Sequence, residues 1–309
     1  MRALITGGAG FIGRALVARC LDAGAEIAVI DNLCAGTLAN LEPFLTWIRF
    51  HPFDILDQDK LARVMTDFAP DTVFHLAAHH FIPFCTAHPR DTLRVNVEGT
   101  LAVLQEAARV GTRVAVIAAT GAGYPSVSEA LAETLPLAPV DIYGVSKAMA
   151  EEVAAFVAAQ SSLKCVAARL FNAYGPYETN PHLIPEIVKA LVRGDDLRLG
   201  NLHPKRDYVY VDDIADMLYR CATAPIDRSL TVNIGTGDEY SVQEVVDALA
   251  RVLGRPIRIS IDPARVRSVD KLHQRADTTL LEKVTGARPR TPLDEGLRRL
   301  AIHEGLLTV

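Results

Sequence analysis

Short apolar runs alternate through the first half of the chain with longer segments in which apolar residues recur every three to four positions. Runs of that length, rich in Val, Ile and Ala, read as strands covered on both faces. The segments between them read as amphipathic helices, so the order is that of βαβ units closing a parallel sheet. The predicted strands are Arg2–Thr6 and residues 26–31, 48–53, 73–77, 114–118 and 165–171; the predicted helices are 11–23, 57–68, 90–110 and 143–160. A doubly wound sheet of this kind holds its ligand beyond the carboxyl ends of the strands.

Past Phe171 the pattern breaks up. Residues 172–185 are rich in Pro, Asn and Gly, and short strands at 197–199 and 258–261 alternate with helices, as expected of a smaller second α/β lobe. The stretch 207–237, with Tyr-Val-Tyr-Val-Asp-Asp, a helix and Thr-Val-Asn-Ile-Gly, is regular enough to return to the first lobe. The expected division is therefore 1–171 with 207–237 on one side and 172–206 with 238–309 on the other.

Composition narrows the function classes. The 309 residues, half of them hydrophobic, bury a large core. The net charge of -5 is spread along the chain with no basic stripe, which argues against nucleic acid. Five scattered cysteines without a C-x-x-C spacing read as reduced core fillers. Met1 runs straight into a strand with no leader pattern, and no apolar run approaches a membrane span. A cytoplasmic enzyme or binding protein is expected.

The run Leu4-Ile5-Thr6-Gly7-Gly8-Ala9-Gly10-Phe11-Ile12-Gly13 ends a strand, turns on glycines and opens a helix. Gly7, Gly10 and Gly13 permit a tight turn, close approach of a pyrophosphate and close helix packing. The second strand ends in Asp31-Asn32, 18 residues after Gly13, where a carboxylate accepts from ribose hydroxyls and repels a 2'-phosphate. NAD is thus expected over NADP, and the fold class is α/β, a Rossmann-type doubly wound parallel sheet with a smaller C-terminal α/β lobe. Tyr143 and Lys147 stand four apart and so share one helix face. An ammonium there, together with an oxidised nicotinamide ring, lowers a phenol's pKa and lets it take a proton from a hydroxyl.

With these motifs in place the chain resembles the extended short-chain dehydrogenase/reductase family, the nucleotide-sugar epimerases and dehydratases. The likeness runs through the glycine turn, Asp54, His75-Leu76-Ala77-Ala78, Asn96-Val97-Glu98-Gly99-Thr100, Tyr143 to Lys147, Arg169 to Pro176, Arg206 to Asp213 and Asn233 to Gly237. It implies a catalytic set of Thr120, Tyr143 and Lys147, with Thr120 bonding the sugar oxygen and Lys147 reaching the nicotinamide ribose. It implies a cofactor site of Gly7, Gly10, Phe11, Ile12, Gly13, Asp31, Asn32, Asp54, Ile55, Leu76, Ala77, Ala78 and Asn96, with Asp54 at the adenine edge. On the substrate side it implies Asn172, Arg206 and Arg267 at a nucleoside diphosphate and Asp270 near its ribose. His80, Phe81 and His182 are expected to line the sugar pocket. A homodimer paired through helices 90–110 and 143–160 is also implied.

Departures from the family pattern select among its reactions. Gly121 and Ala122 stand where 4,6-dehydratases carry Asp-Glu, and a decarboxylase keeps an acidic residue in place of Ala122. Elimination across C5 and C6 needs an acid and a base there, whereas C4 epimerisation through a 4-keto sugar needs neither. A nucleotide-sugar C4 epimerase is the leading expectation; a dehydratase, decarboxylase or reductase using the same ketone is the rival enzyme. A non-catalytic NAD-binding regulator is the rival of another class, against which the intact Thr120, Tyr143 and Lys147 argue. The cluster His79, His80, Cys85 and His88 has metal-ligand residue types in no regular spacing, so no metal is expected. Tyr177, where uronate epimerases place an Arg after Gly-Pro, speaks against a carboxylate-binding pocket.

Overall fold

The computed structural model describes residues 1–194, 196–266 and 271–308. In chain order its strands begin with β1 (Arg2–Thr6), β2 (Glu26–Ile30), β3 (Ile48–His51), β4 (Thr72–His75), β5 (Val114–Thr120) and β6 (Lys164–Leu170). They continue with β7 (Asn172–Tyr174), β8 (Leu197–Leu199), β9 (Lys205–Arg206), β10 (Tyr208–Tyr210), β11 (Leu230–Ile234), β12 (Tyr240–Ser241) and β13 (Ile259–Ile261). The helices are α1 (Phe11–Asp22), α2 (Gln58–Phe68), α3 (Ile82–Ala87), α4 (Pro89–Leu93), α5 (Gly99–Arg109) and α6 (Ile142–Ala159), followed by α7 (Leu183–Arg193), α8 (Val211–Thr223), α9 (Val242–Leu253), α10 (Thr279–Thr285) and α11 (Leu293–His303).

Seven of these strands form one parallel sheet in the order β3-β2-β1-β4-β5-β6-β11. Alternation along β1 sends Ala3 and Ile5 into the apolar core beneath α1 and α8, and Leu4 into the opposite core beneath α2, α5 and α6. Each such buried Leu or Ile contributes roughly 1.5–3 kcal/mol relative to exposure. The chain order reverses between β1 and β4, and this switch point opens the crevice in which a doubly wound sheet holds its ligand.

Three local differences from the sequence expectation have physical causes. Helix α2 starts one residue late because Asp57 is its cap, its carboxylate accepting from Lys60 N–H at 3.2 Å. The single helix expected over 90–110 carries a π-helical segment at Arg94–Glu98 between α4 and α5. There Thr100 Oγ1 donates to Asn96 O at 2.6 Å. Strand β4 stops at His75, so Leu76 to Ala78 leave the sheet and cross the crevice mouth.

The stretch 207–237 divides. Helix α8 packs on α1 and β11 completes the large sheet, whereas β10 pairs with β7. Tyr208 and Tyr210 meet Tyr174 edge-on in a third apolar core shared with α7, α9 and α11. Asp207, fully buried, stitches the two parts together. It accepts from the backbone N–H of Thr236, Gly237 and Ala276 and from the Thr236 hydroxyl.

Candidate active site

The turn after β1 is shaped by what it cannot contain. Gly7 sits at φ +73°, and a Cβ there would stand 2.7 Å from Ala77 N; one on Gly13 would stand 2.1 Å from Gly7 O. Side chains at either position would force β1, α1 and the 76–78 segment apart. Gly10 opens α1 with no side-chain cap and no acidic residue in the first turn, so the first N–H groups of the helix, Phe11 to Gly13, are left to an outside anion.

Asp31 directly follows β2 and is almost buried, with Oδ2 accepting from Ala9 N–H at 2.9 Å and Oδ1 from Leu33 N–H at 2.8 Å. Burial raises its pKa, and those two backbone bonds oppose the rise. The carboxylate thus has a part that the sequence did not announce: it holds the glycine turn in shape. Asn32 donates to Asp54 Oδ2 at 2.8 Å, and Ile55 lies buried behind Asp54. Asn40, which no sequence signal marks, reaches back to donate to Ala9 O at 2.8 Å. A cradle closed to side chains, a helix start with free N–H groups and a carboxylate at the end of the second strand fit a dinucleotide without a 2'-phosphate.

The catalytic candidates converge from two elements. Thr120 ends β5, and Asp141 caps α6 by accepting from Gly144 N–H at 2.8 Å. That cap puts Tyr143 in the first turn and Lys147 one turn later on the same face. The Thr120 hydroxyl accepts from Ala122 N–H at 3.1 Å and lies near enough to the Tyr143 phenol to act on its charge; Lys147 Nζ donates to Ala118 O at 2.9 Å. Burial pushes the phenol up to about 12, with Thr120 pulling it back, and burial brings the Lys147 ammonium down to about 8. In the protein's own field desolvation outweighs the Thr120 contribution to the phenol; the expected lowering invokes the nicotinamide charge together with Lys147.

Asn96 was expected at the cofactor, yet its buried amide bonds the protein. Oδ1 accepts from His79 N–H, and Nδ2 donates to His79 O and to Ser146 Oγ, each within 2.9 Å. Ser146 in turn donates to Tyr143 O at 2.7 Å. His75 extends the network to β1. Thr100 Oγ1 already donates to Asn96 O, so it accepts from His75 Nε2–H at 2.9 Å, and His75 Nδ1 accepts from Thr6 Oγ1 at 2.7 Å. This is a neutral imidazole, pushed down to about 3 by burial first and Lys147 second.

On the opposite wall, Asn180 Nδ2 donates to His80 Nε2 at 2.8 Å across the cleft. His80 keeps contact with solvent yet is sunk among protein atoms, and desolvation, then His182, push it down to about 4. Phe81 caps α3 beside it, and His182 is the cap residue of α7 with Nδ1 against Glu178 Oε1. Asn172 begins β7, and Arg206 on β9 donates to Lys205 O and to Lys271 O. Arg267 and Asp270 lie outside the described residues. Lys271 was not anticipated: its ammonium donates to Ala122 O at 2.7 Å and to Tyr124 O, tying the second lobe to the turn that carries Thr120. His79, Phe84 and His88 stack with ring centroids 4.7 and 4.5 Å apart. A cavity of about 360 Å³ between α7 and β8, walled by Arg193, Arg198 and Arg265, contains none of the catalytic candidates.

The profile of the NAD dependent epimerase/dehydratase family matches residues 3–235. The chain belongs to that family. Its cofactor is accordingly NAD. A UDP-glucose 4-epimerase of Mycolicibacterium smegmatis is 32% identical over 308 residues, covering 97% of both chains. Among solved structures, a UDP-glucose 4-epimerase from Thermotoga maritima with UDP-glucose superimposes with a TM-score of 0.91 at 27% identity, over 98% of each chain. A UDP-glucose 4-epimerase from Thermus thermophilus in complex with NAD does so with a TM-score of 0.88 at 29% identity, over 99% of each. No helix of the described residues is long and apolar enough to cross a membrane.

Proposed function

We propose that the protein is a nucleotide-sugar 4-epimerase acting on a UDP-hexose, and that Thr120, Tyr143 and Lys147 carry the reaction. The observation that supports this most is the convergence of β5 and the start of α6: Thr120 reaches the Tyr143 phenol and Lys147, one turn on, is tied to Ala118 O, while Gly121 and Ala122 contribute no acid or base. Tyr143 takes the C4 hydroxyl proton while Thr120 holds that oxygen. Lys147 fixes the helix face against Ala118 O and meets the ribose next to the nicotinamide. When bound beside Thr120, Tyr143 and Lys147, NAD would supply the acceptor and donor of the C4 hydride and a positive ring charge near the phenol. Gly7, Gly10, Phe11, Ile12 and Gly13 hold the pyrophosphate; Asp31 with Asn32 holds the adenosine ribose, and Asp54 with Ile55 the adenine. Leu76, Ala77 and Ala78 line the cofactor, and Asn96 supports it by positioning that segment and Ser146.

On the substrate side Arg206, Arg267, Asp270 and Asn172 hold the nucleoside diphosphate, and His80, Phe81 and His182 face the sugar. Residues 172–206 and 238–309 then form the nucleotide-sugar lobe. An enzyme of this kind converts UDP-glucose to UDP-galactose, followed by NMR, with no net NADH. Release of stoichiometric NADH, of carbon dioxide or of a 4-keto-6-deoxy sugar would instead assign it to one of the family's other reactions.

We also propose a cytoplasmic homodimer. All five cysteines are unpaired, and Met149 and Phe156 are exposed along α6 beside α5. Light scattering after chromatography tests this: Phe156→Glu converts dimer to monomer, and a monomeric wild type refutes it.

A further inference from the structure

The segment between β7 and α7 carries His182 and Asn180, and one of its residues is held by the cofactor helix. Arg14, in the second turn of α1, lays its guanidinium 3.6 Å from the centroid of the Tyr177 ring and 5.5 Å from that of Phe44. Its Nε is buried with no hydrogen-bond partner, so its grip on Tyr177 is the stack. His303 of α11 packs on the same ring at 4.5 Å. Tyr177 adopts φ +71°, a conformation that an L side chain keeps only where its contacts repay the strain.

The next residue shows what this backbone conformation achieves. Glu178 has only 3% of its side chain exposed, with Oε2 buried and unpartnered and Oε1 against His182 Nδ1. With Nδ1 committed, the half-exposed His182 ring keeps Nε2 for another partner. Desolvation raises the Glu178 carboxyl, and His182 opposes the rise.

We propose that Arg14 and Tyr177 are positioning residues that set the orientation of His182 through Glu178, so that the helix holding the dinucleotide also sets affinity for the hexose. This rests on the reading of His182 as a sugar contact. The test compares UDP-glucose with UDP by calorimetry on the NAD-loaded protein. Arg14→Met and Tyr177→Ala each weaken UDP-glucose roughly tenfold, leave UDP and NAD content unchanged, and raise KM while kcat stays within about twofold. The double variant is no weaker than the worse single one, because the two side chains form one contact. Tyr177→Phe keeps the ring face and binds like wild type; Arg14→Met covers the case in which Tyr177→Ala does not fold. Unchanged UDP-glucose affinity in Arg14→Met, additive losses, or equal weakening of UDP overturns the proposal. His182→Ala separates the two levels. If it binds UDP-glucose normally, the sugar contact and the latch both fall; if it weakens UDP-glucose while Arg14→Met does not, the latch alone falls.

Discussion

On the proposed cofactor side of the cleft, the candidate binding groups are backbone amides and a nearly buried carboxylate, fixed by β1, β2 and the turn between β1 and α1. On the proposed sugar side they are side chains on connecting segments: His80 after β4, Asn180 and His182 before α7. The first kind is rigid because its geometry is main-chain geometry, held by glycines that tolerate no substitution. The second kind is adjustable, since a rotamer change or one substitution alters the pocket without touching the sheet. A fold built this way keeps one dinucleotide and one oxidation step while different sugars are accommodated opposite.

The sharpest way to break this comparison is at the junction. Tyr143→Phe removes the oxygen proposed to transfer the proton while leaving both walls intact. Turnover is expected to fall by about a thousandfold or more, with NAD content and UDP binding unchanged. Near-normal kcat in the variant would detach the chemistry from this phenol.

A second prediction concerns the rigidity of the cofactor wall. His75 is held neutral between Thr6 and Thr100 and is pushed down to about 3, below the 6.5 of a free imidazole. Between those two values the unfolded chain binds the proton and the native protein does not. The stability that His75 contributes is therefore full above about 6.5 and lost as pH falls toward about 3. The slope from this group approaches 1.4 kcal/mol per pH unit in mid-range. His75→Gln is expected to be less stable than wild type at pH 7.5 and to lose less on acidification to pH 4.5, as read by urea unfolding. Parallel pH profiles would place the titration elsewhere.

How far each wall was legible in the sequence follows from the same contrast. The glycine turn, Asp31, Thr120 and the Tyr143/Lys147 pair sit at fixed offsets from strands and helix caps, so short motifs and a family likeness were enough to nominate them. The parallel sheet was legible too, because strands buried on both faces leave uninterrupted apolar runs. What escaped were partnerships across distant parts of the chain. Lys271 meets the carbonyl of Ala122, Arg14 stacks on Tyr177, and Asn40 closes on Ala9. None of these pairs has a spacing that a single sequence can reveal. Electrostatics escaped as well: the spacing of Tyr143 and Lys147 gave no measure of the burial that raises the phenol.

The cofactor wall's selectivity is expected to yield by a smaller amount. Asp31→Asn removes the charge that would face a 2'-phosphate and, because its amide nitrogen cannot accept, gives up one of the two backbone bonds to Ala9 and Leu33 N–H. NAD affinity should fall, and its preference over NADP should relax by roughly tenfold or more, measured by fluorescence titration of protein stripped of cofactor. Unchanged selectivity would confine Asp31 to its structural bonds with Ala9 and Leu33.

The smallest effect is expected where the two walls are tied. Lys271 donates a charged hydrogen bond to Ala122 O from a partly buried position, and its pKa is lowered by burial first and by Arg206 second. Lys271→Met keeps the aliphatic stem and removes the donor, leaving the carbonyls of Ala122 and Tyr124 to water that reaches this half-covered edge. A loss of about 1–2 kcal/mol in urea unfolding follows. A fall of a few-fold in kcat follows as well, because the turn holding Thr120 loses its anchor to the second lobe. Loss of stability without any change in kcat would mean that the turn keeps its shape through β5 alone, and the two walls would then be mechanically independent at this point.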